Sequence, residues 1–398
     1  MEKYRLKNGL TLIAIQKKSE TITIQATVHV GSDNETAKVL GISHFIEHML
    51  FEGTSKRSSK EIANTIESLG GEISAYTSHE ITCFYIKVLK KHCNIALDIL
   101  SDILTNPLFD PEKIEKERKI IISEVKLVTD QPRHYQWILF QKALFKNYPV
   151  KNPIFGSIKL IRKIKRNDLV NYYKKYYTAG NIVLSFVGDI PKIKGRINRY
   201  FKFKAKKIRK INIKEPANKK LVRIEKKKIN QSYAVVGYKT VKRSHKDSYI
   251  FDVIRGILGR GLSGKLFEEI RVKRALAYDV GINNETEIDY GYFAAYFSTH
   301  KKNIKKCVNI TLKELKNLKN ITDKELQEAK QFIEGEFILD NEDSQRIADT
   351  VGFWQLVSGC NNIFNYIKNI KKVTKKDICR IVDNYFDDNY TLVVLEQS

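Results

Sequence analysis

Along the first thirty residues, Ile22, Ile24, Ala26, Val28 and Val30 alternate with polar positions, and Asn8-Gly9 upstream is a hairpin signal. Residues 4 to 30 are therefore expected to form two or three strands, with one face of their sheet buried. Ser58-x-x-Glu61 is a capping box opening a helix with Ile62, Ala63, Ile66 and Leu69 inward, closed by Gly70-Gly71. Glu72 to Thr77 and Ile81 to Leu89 read as strands. A helix from Lys91 to Leu104 stops before Asn106-Pro107, and another opens at Pro111, a favoured first-turn residue. Further helices over His134 to Phe145 and Asp168 to Tyr177 lead into the apolar strand Ile182 to Val187. Helices and strands are mixed, with hairpins as well as crossovers, so the expected class is α+β.

The second half repeats the first. Asp168 to Tyr176 and Asp377 to Tyr385 are both short amphipathic helices with Asp early and Tyr late, and each runs into an apolar strand, Ile182 to Val187 and Thr391 to Leu395. The helix at Pro111 has a counterpart at Thr322-Asp-Lys-Glu325, itself a capping box. A chain of 398 residues exceeds one ordinary core and suits two domains of about 200. The expectation is two structurally similar domains, 1–200 and 219–398, joined by a connecting segment at 201–218, each a mostly antiparallel sheet packed with helices.

The chemistry concentrates in Gly41-Ile-Ser-His-Phe-Ile-Glu-His-Met-Leu-Phe-Glu-Gly-Thr54. Ser43 is placed to cap a helix and Gly53 to end one. On that helix His44 and His48, at i and i+4, share a face and reach one ion, with Glu47 beside them. A catalytic zinc site needs a third protein ligand and one open position for water. Glu117 and Glu124, two turns apart on the Pro111 helix, both project from one face, and one of them is enough. The second half holds no comparable set, since only His245 and His300 follow His134.

The spacing His-x-x-Glu-His is the inverzincin signature. The chain resembles the pitrilysin/insulinase metallopeptidases, most closely their mitochondrial-processing-peptidase-like branch. The resemblance is carried by Asn8-Gly9-Leu10, Gly41 to Thr54, Gly70-Gly71 with Ala75 and Thr77-Ser78, Glu117-Arg118, Tyr177 to Gly188, and Arg271 to Tyr278. It implies one zinc per chain on His44, His48 and Glu124, with Glu47 as general base and Glu117 as a supporting acidic residue. It further implies that the strand carrying Ser74, Ala75 and Tyr76 pairs with substrate backbone, and that Arg271 and Tyr278 hold substrate. Ser74 stands where the family usually has Asn, and Arg260, in the glycine-rich turn before Arg271, where it more often has Gly. Family members of double length resemble two such chains closed on each other, which implies a homodimer here, or a heterodimer with a similar subunit. A non-catalytic subunit of the same fold is the rival reading, and the intact motif argues against it.

The net charge of +26 raises nucleic acid or an acidic membrane surface as partners. The lysines are scattered, though, and the densest run, Lys202 to Lys214, falls in the connecting segment, so the expectation is a solvated surface with no nucleic-acid function. Five cysteines, odd in number and without a C-x-x-C pair, read as reduced thiols. With no apolar leader, Arg-rich presequence or long apolar span, the expectation is a cytoplasmic protein without membrane insertion.

Overall fold

The computed structural model describes residues 1–189, 191–205 and 213–398, so residues 206–212 of the expected connecting segment and of the lysine run lie outside the described residues. The first half runs β1 (Glu2–Arg5), β2 (Thr11–Ile15), β3 (Thr21–Val28), α1 (Ile42–Phe51), α2 (Ser59–Glu67), β4 (Glu72–Thr77), β5 (Thr82–Leu89), α3 (Cys93–Thr105), α4 (Pro111–Asp130), α5 (Pro132–Leu144), α6 (Arg166–Tyr176) and β6 (Ile182–Val187). The second runs β7 (Leu221–Lys227), β8 (Ser232–Lys239), α7 (Ser248–Leu258), β9 (Ala277–Thr286), β10 (Gly291–Thr299), α8 (Ile304–Asn317), α9 (Asp323–Asp340), α10 (Ser344–Val357), α11 (Lys375–Tyr385) and β11 (Thr391–Gln397). Local signals place most of these. The hairpin turns at Gly9 (φ +92°), the box at Ser58 and Glu61 closes with both bonds, and Thr322 and Glu325 form theirs.

The strands make two sheets, ordered β1-β2-β6-β3-β5-β4 and β7-β11-β8-β10-β9. Neighbours pair antiparallel except β2 with β6 and β7 with β11, so the α+β reading with two similar, mostly antiparallel sheets is what the fold shows. One face of the first sheet, with Ile22, Ile24, Ala26 and Val28 of β3, packs into a core with Phe45, Ile46, Leu97 and Leu100 of α1 and α3. The matching face of the second, with Ala234, Val236, Phe293 and Phe297, packs against Phe251, Ile254 and Cys307 of α7 and α8.

The compact units are not the contiguous segments 1–200 and 219–398. One comprises Met1–Leu127, Asn152–Asn212 and Asp340–Cys360, the other Val128–Lys151, Ile213–Leu339 and Asn361–Ser398. The cause is an exchange of equivalent helices: α10, from late in the chain, lies on β3 and β6, whereas α5, from early in the chain, lies on β8 and β11. The polar side of β3 is consequently buried as well, contrary to the one buried face expected: Thr23 and Gln25 are 0% exposed. Thr23 Oγ1 meets Ser344 Oγ at 2.7 Å, and Gln25 Nε2 donates to Asp349 Oδ1 at 2.6 Å. On the second sheet the side facing α5 is apolar, with Val235, Tyr292, Val393 and Leu395 against Leu139, Phe140 and Leu144. All five cysteines are free, and no helix among the described residues is long and apolar enough to cross a membrane.

Candidate metal centre

Helix α1 starts from Gly41, whose φ of +95° is left-handed and where a Cβ would fall 2.4 Å from the Phe155 carbonyl oxygen. Its first amides are taken by Glu35, whose Oε2 accepts from Gly41 N (2.6 Å) and Oε1 from Ser43 N (2.8 Å), a carboxylate at the positive end of the helix. Burial pushes Glu35 up to about 8, with those two amides pulling the other way. Ser43 is therefore not the cap. It lies one residue inside the helix, where its hydroxyl donates to the Gly31 carbonyl (3.0 Å) and meets Tyr172 Oη (2.9 Å).

One face of α1 looks at α4, and the two helices bring the motif together with both glutamates. His44 Nε2 lies 3.7 Å and His48 Nε2 3.6 Å from Glu124 Oε2, with the imidazole planes 77° apart. His48 Nδ1 is 3.0 Å from Glu117 Oε2. Glu117 is 5% exposed and sits behind the histidine; the Glu124 side chain, 41% exposed, opens towards solvent. At the far end of α1, Glu52 takes Lys113 (3.3 Å) and Lys116 (3.2 Å) from α4, which fixes the spacing of the pair.

These residues fit a zinc ion. Donor atoms of His44, His48 and Glu124 all lie within 4.8 Å of one another. The 3.6 and 3.7 Å separations are too long for hydrogen bonds, but match the roughly 3.4 Å edge of a tetrahedron with bonds of about 2.0–2.1 Å. The outer partner is present too: Glu117 on Nδ1 leaves His48 Nε2 facing the cluster, the arrangement typical of a metal-bound histidine. His44 Nδ1 is buried without a hydrogen-bond partner among the described residues. Burial drives His44 down to about 4, with His48 adding to the fall and Glu124 opposing it, which leaves a neutral imidazole. For His48 burial acts the same way, but the Glu124 and Glu117 carboxylates facing its two ring nitrogens outweigh it and its pKa is raised.

Glu47 points beside the cluster, and its Oε2 accepts from Thr77 Oγ1 at 2.5 Å. Burial raises its pKa, while Thr77 and His48 oppose the rise. Thr77 ends β4, the strand of Ser74, Ala75 and Tyr76, which lies at the edge of the first sheet with β5 as its neighbour. Ile73 and Ala75 turn to the core, and Tyr76 turns to the opposite face, where its hydroxyl donates to Asp349 at 2.7 Å. Arg271 and Tyr278 lie in the other unit. The Arg271 guanidinium, carried on a π-helical turn (Glu268–Val272), is sandwiched between Phe267 (4.8 Å) and Tyr278 (4.4 Å), the latter 70% exposed. Arg260 is paired with Glu328, which ties the glycine-rich turn to α9.

Two contacts of the site escape a sequence reading, those of Glu35 with α1 and of Thr77 with Glu47. Glu35 precedes its helix by more than capping-box spacing, and Thr77 reaches Glu47 only through the packing of β4 on α1.

Residues 11–157 match the family described as Insulinase (Peptidase family M16), and residues 163–333 the Peptidase M16 inactive domain. An uncharacterized zinc protease of Bacillus subtilis, YmxG, is 29% identical over 407 residues, 100% of this chain and 98% of that one. An uncharacterized zinc protease of Rickettsia felis is 34% identical over 301 residues, 74% of this chain and 72% of the relative. Among solved structures, a protease from Helicobacter pylori superposes with a TM-score of 0.94 at 24% identity, covering 99% of both chains. A peptidase M16 inactive domain from Pseudomonas fluorescens gives 0.90 at 18% identity, covering 100% of this chain and 98% of that one. With the motif, both halves and relatives named zinc proteases in agreement, the chain belongs to the insulinase family, peptidase family M16.

Proposed function

We propose that the chain is a zinc endopeptidase, holding one zinc on His44, His48 and Glu124 and hydrolysing extended peptides. The observation that carries this reading is the convergence of those three donors with Glu47 beside them, one of its oxygens held by Thr77 and the other without a protein partner among the described residues. His44, His48 and Glu124 would hold a zinc ion whose chemistry would be to lower the pKa of water towards about 7 and to polarise a peptide carbonyl. Glu47 takes a proton from the attacking water and delivers it to the leaving amine, and its buried position makes it a stronger base than an exposed carboxylate. Glu117 holds the His48 ring in its ligand orientation. An extended peptide adds to the open edge of β4 at Ser74, Ala75 and Tyr76, gaining affinity through its backbone with little demand on sequence.

Arg271 and Tyr278 are proposed to hold the peptide in trans. Two copies then form a symmetric homodimer enclosing a chamber, each copy supplying the arginine-tyrosine pair for its partner's zinc. The first test is metal content together with cleavage of a peptide library: Glu47→Gln should keep zinc and lose about 10² to 10⁴ in rate, and near-full turnover would overturn the base assignment. The second mixes a His48→Ala chain with an Arg271→Ala/Tyr278→Phe chain, each inactive or nearly so alone. Random reassociation should restore about a quarter of wild-type activity. No recovery in demonstrated mixed dimers sinks the trans arrangement, and an inactive monomer on purification favours an unlike partner subunit.

A further inference from the structure

We infer that Thr77 is a positioning residue that makes the orientation of Glu47 depend on the strand where substrate pairs; the inference rests on Glu47 being the base. Helix α1 fixes the Cα of Glu47 but not the plane of its carboxylate, because the last torsion of a glutamate is broad and roughly two-fold. That plane is set by the 2.5 Å bond from Thr77 Oγ1. The direction of the bond follows from counting protons. An ionised carboxylate can only accept, and the competing acceptor, Thr82 Oγ1, whose own proton goes to the Val30 carbonyl (2.8 Å), stands 3.5 Å away, so the single Thr77 proton goes to Glu47.

Thr77 is the last residue of β4 and pairs across to Thr82 of β5 through its backbone, so its hydroxyl is not needed to build the sheet. The residue before it is fixed from behind: Tyr76 bonds Asp349, which also takes Gln25 (2.6 Å) and Gln345 (2.6 Å). What remains unpaired among the described residues is the outer edge of β4, the edge to which a peptide would add. A peptide long enough to pair along the six residues of this strand orders it up to Thr77, and with it the base. Remote binding energy then appears in kcat as well as in KM.

The experiment compares wild type, Thr77→Val and Thr77→Ser on a short peptide ending close to the scissile bond and on a long one that spans the strand. Valine keeps shape and strand propensity but has no proton to give; serine keeps the hydroxyl. Thr77→Val should keep zinc and its unfolding midpoint, lose about 10- to 100-fold in kcat with little change in KM, and lose the gain in kcat that wild type shows on lengthening the peptide. Thr77→Ser should restore both. Wild-type kcat in Thr77→Val, zinc lost along with activity, or a serine variant no better than the valine one would each overturn the inference. Glu47→Gln is run beside them: if it alone removes turnover, the base reading stands whatever Thr77 does, and if it does not, that reading has failed first.

Discussion

The two units are built to one plan and differ where the chemistry lies. Strand for strand, β2-β6-β3-β5-β4 corresponds to β7-β11-β8-β10-β9, including the single parallel pair, and β1 is the addition in the first sheet. Counted back from the caps that end α1 and α7, at Glu52 and Gly259, the positions of His44, Glu47 and His48 are taken by Phe251, Ile254 and Arg255. Counted from Asp110 and Thr322, which cap α4 and α9, those of Glu117 and Glu124 are taken by Ala329 and Glu336. Arg255 bonds Glu336 at 2.5 Å, at the place where His48 faces Glu124. One carboxylate thus persists in both units: in the first it stands among donors that fit a metal ion, and in the second it neutralises a cation. There the cation is the Arg255 side chain, and the places of Glu47 and of the buried Glu117 are held by apolar residues. Even the threonine that ends the edge strand persists, but Thr286 accepts from Arg243 where Thr77 donates to Glu47. The two units share the architecture and differ in the five side chains on which the proposed activity rests.

The largest effect should come from writing the second unit's residues into the first. His44→Phe, Glu47→Ile and His48→Arg together are expected to abolish zinc binding and cut peptidase activity by at least about 10⁴-fold, with secondary structure by circular dichroism unchanged. Activity surviving that triple change would break the comparison.

Next in size are the exchanged helices. Nine residues past their N-caps, at Gln131 and Asp343, α5 has Phe140 and α10 has Gly352. Phe140→Ala should cost about 3–5 kcal/mol in urea unfolding by leaving a cavity among Trp137, Tyr292 and Val235. Gly352→Ala should cost about 1–3 kcal/mol for the opposite reason, because its Cβ would sit 2.7 Å from Thr27 Oγ1.

Smaller again is Glu117→Ala. It should weaken zinc by about 10- to 100-fold in competition with a chelator and leave the fold intact, whereas Glu124→Ala should abolish binding. In wild type the same titration should show affinity falling as pH is lowered: His48, whose pKa is raised, must shed a proton to bind, and that proton becomes harder to remove in acid. The smallest effect is expected for Arg255→Met. The pair it breaks is partly exposed, with 27% and 41% of the two side chains accessible, so stability should fall by about 1 kcal/mol or less, with zinc content and kcat unchanged. A change in kcat there would mean that the second unit's ion pair has a part in catalysis.

What the sequence makes legible is what is local. The histidine pair, Glu47 and the two glutamates are each set by helical spacing, and β4, β5, β6, β11 and the two capping boxes stand within a residue or two of where their patterns place them, whereas no pattern read above places β7 to β10. The choice of Glu124 over Glu117 was not settled by spacing alone, because both lie on one face of α4; the structure separates them by depth, one behind the histidine and one beside it. Helix partnership is not legible at all. The apolar residues of α5 announce a buried helix but not which sheet it covers, and Thr23, Gln25 and Thr27 read as a solvent face until α10 is laid on them. The same gap hides Thr77, since its hydrogen bond joins two elements whose apposition is a tertiary fact.

The exchange of α5 and α10 also bears on the order in which the chain is made. Synthesis delivers the first sheet early and its cover late, for α10 ends at Val357 of 398 residues. In that interval the waiting face of the first sheet is mixed: Thr23, Gln25, Thr27 and Ser185, which water satisfies, stand beside Ile13, Val183 and Val187. The second sheet, whose corresponding face is valine, tyrosine and leucine, emerges when α5 has long been available to cover it. The helix made first covers the more apolar face and the helix made last covers the mixed one, so the face with most to hide from water is the one that never waits for its cover.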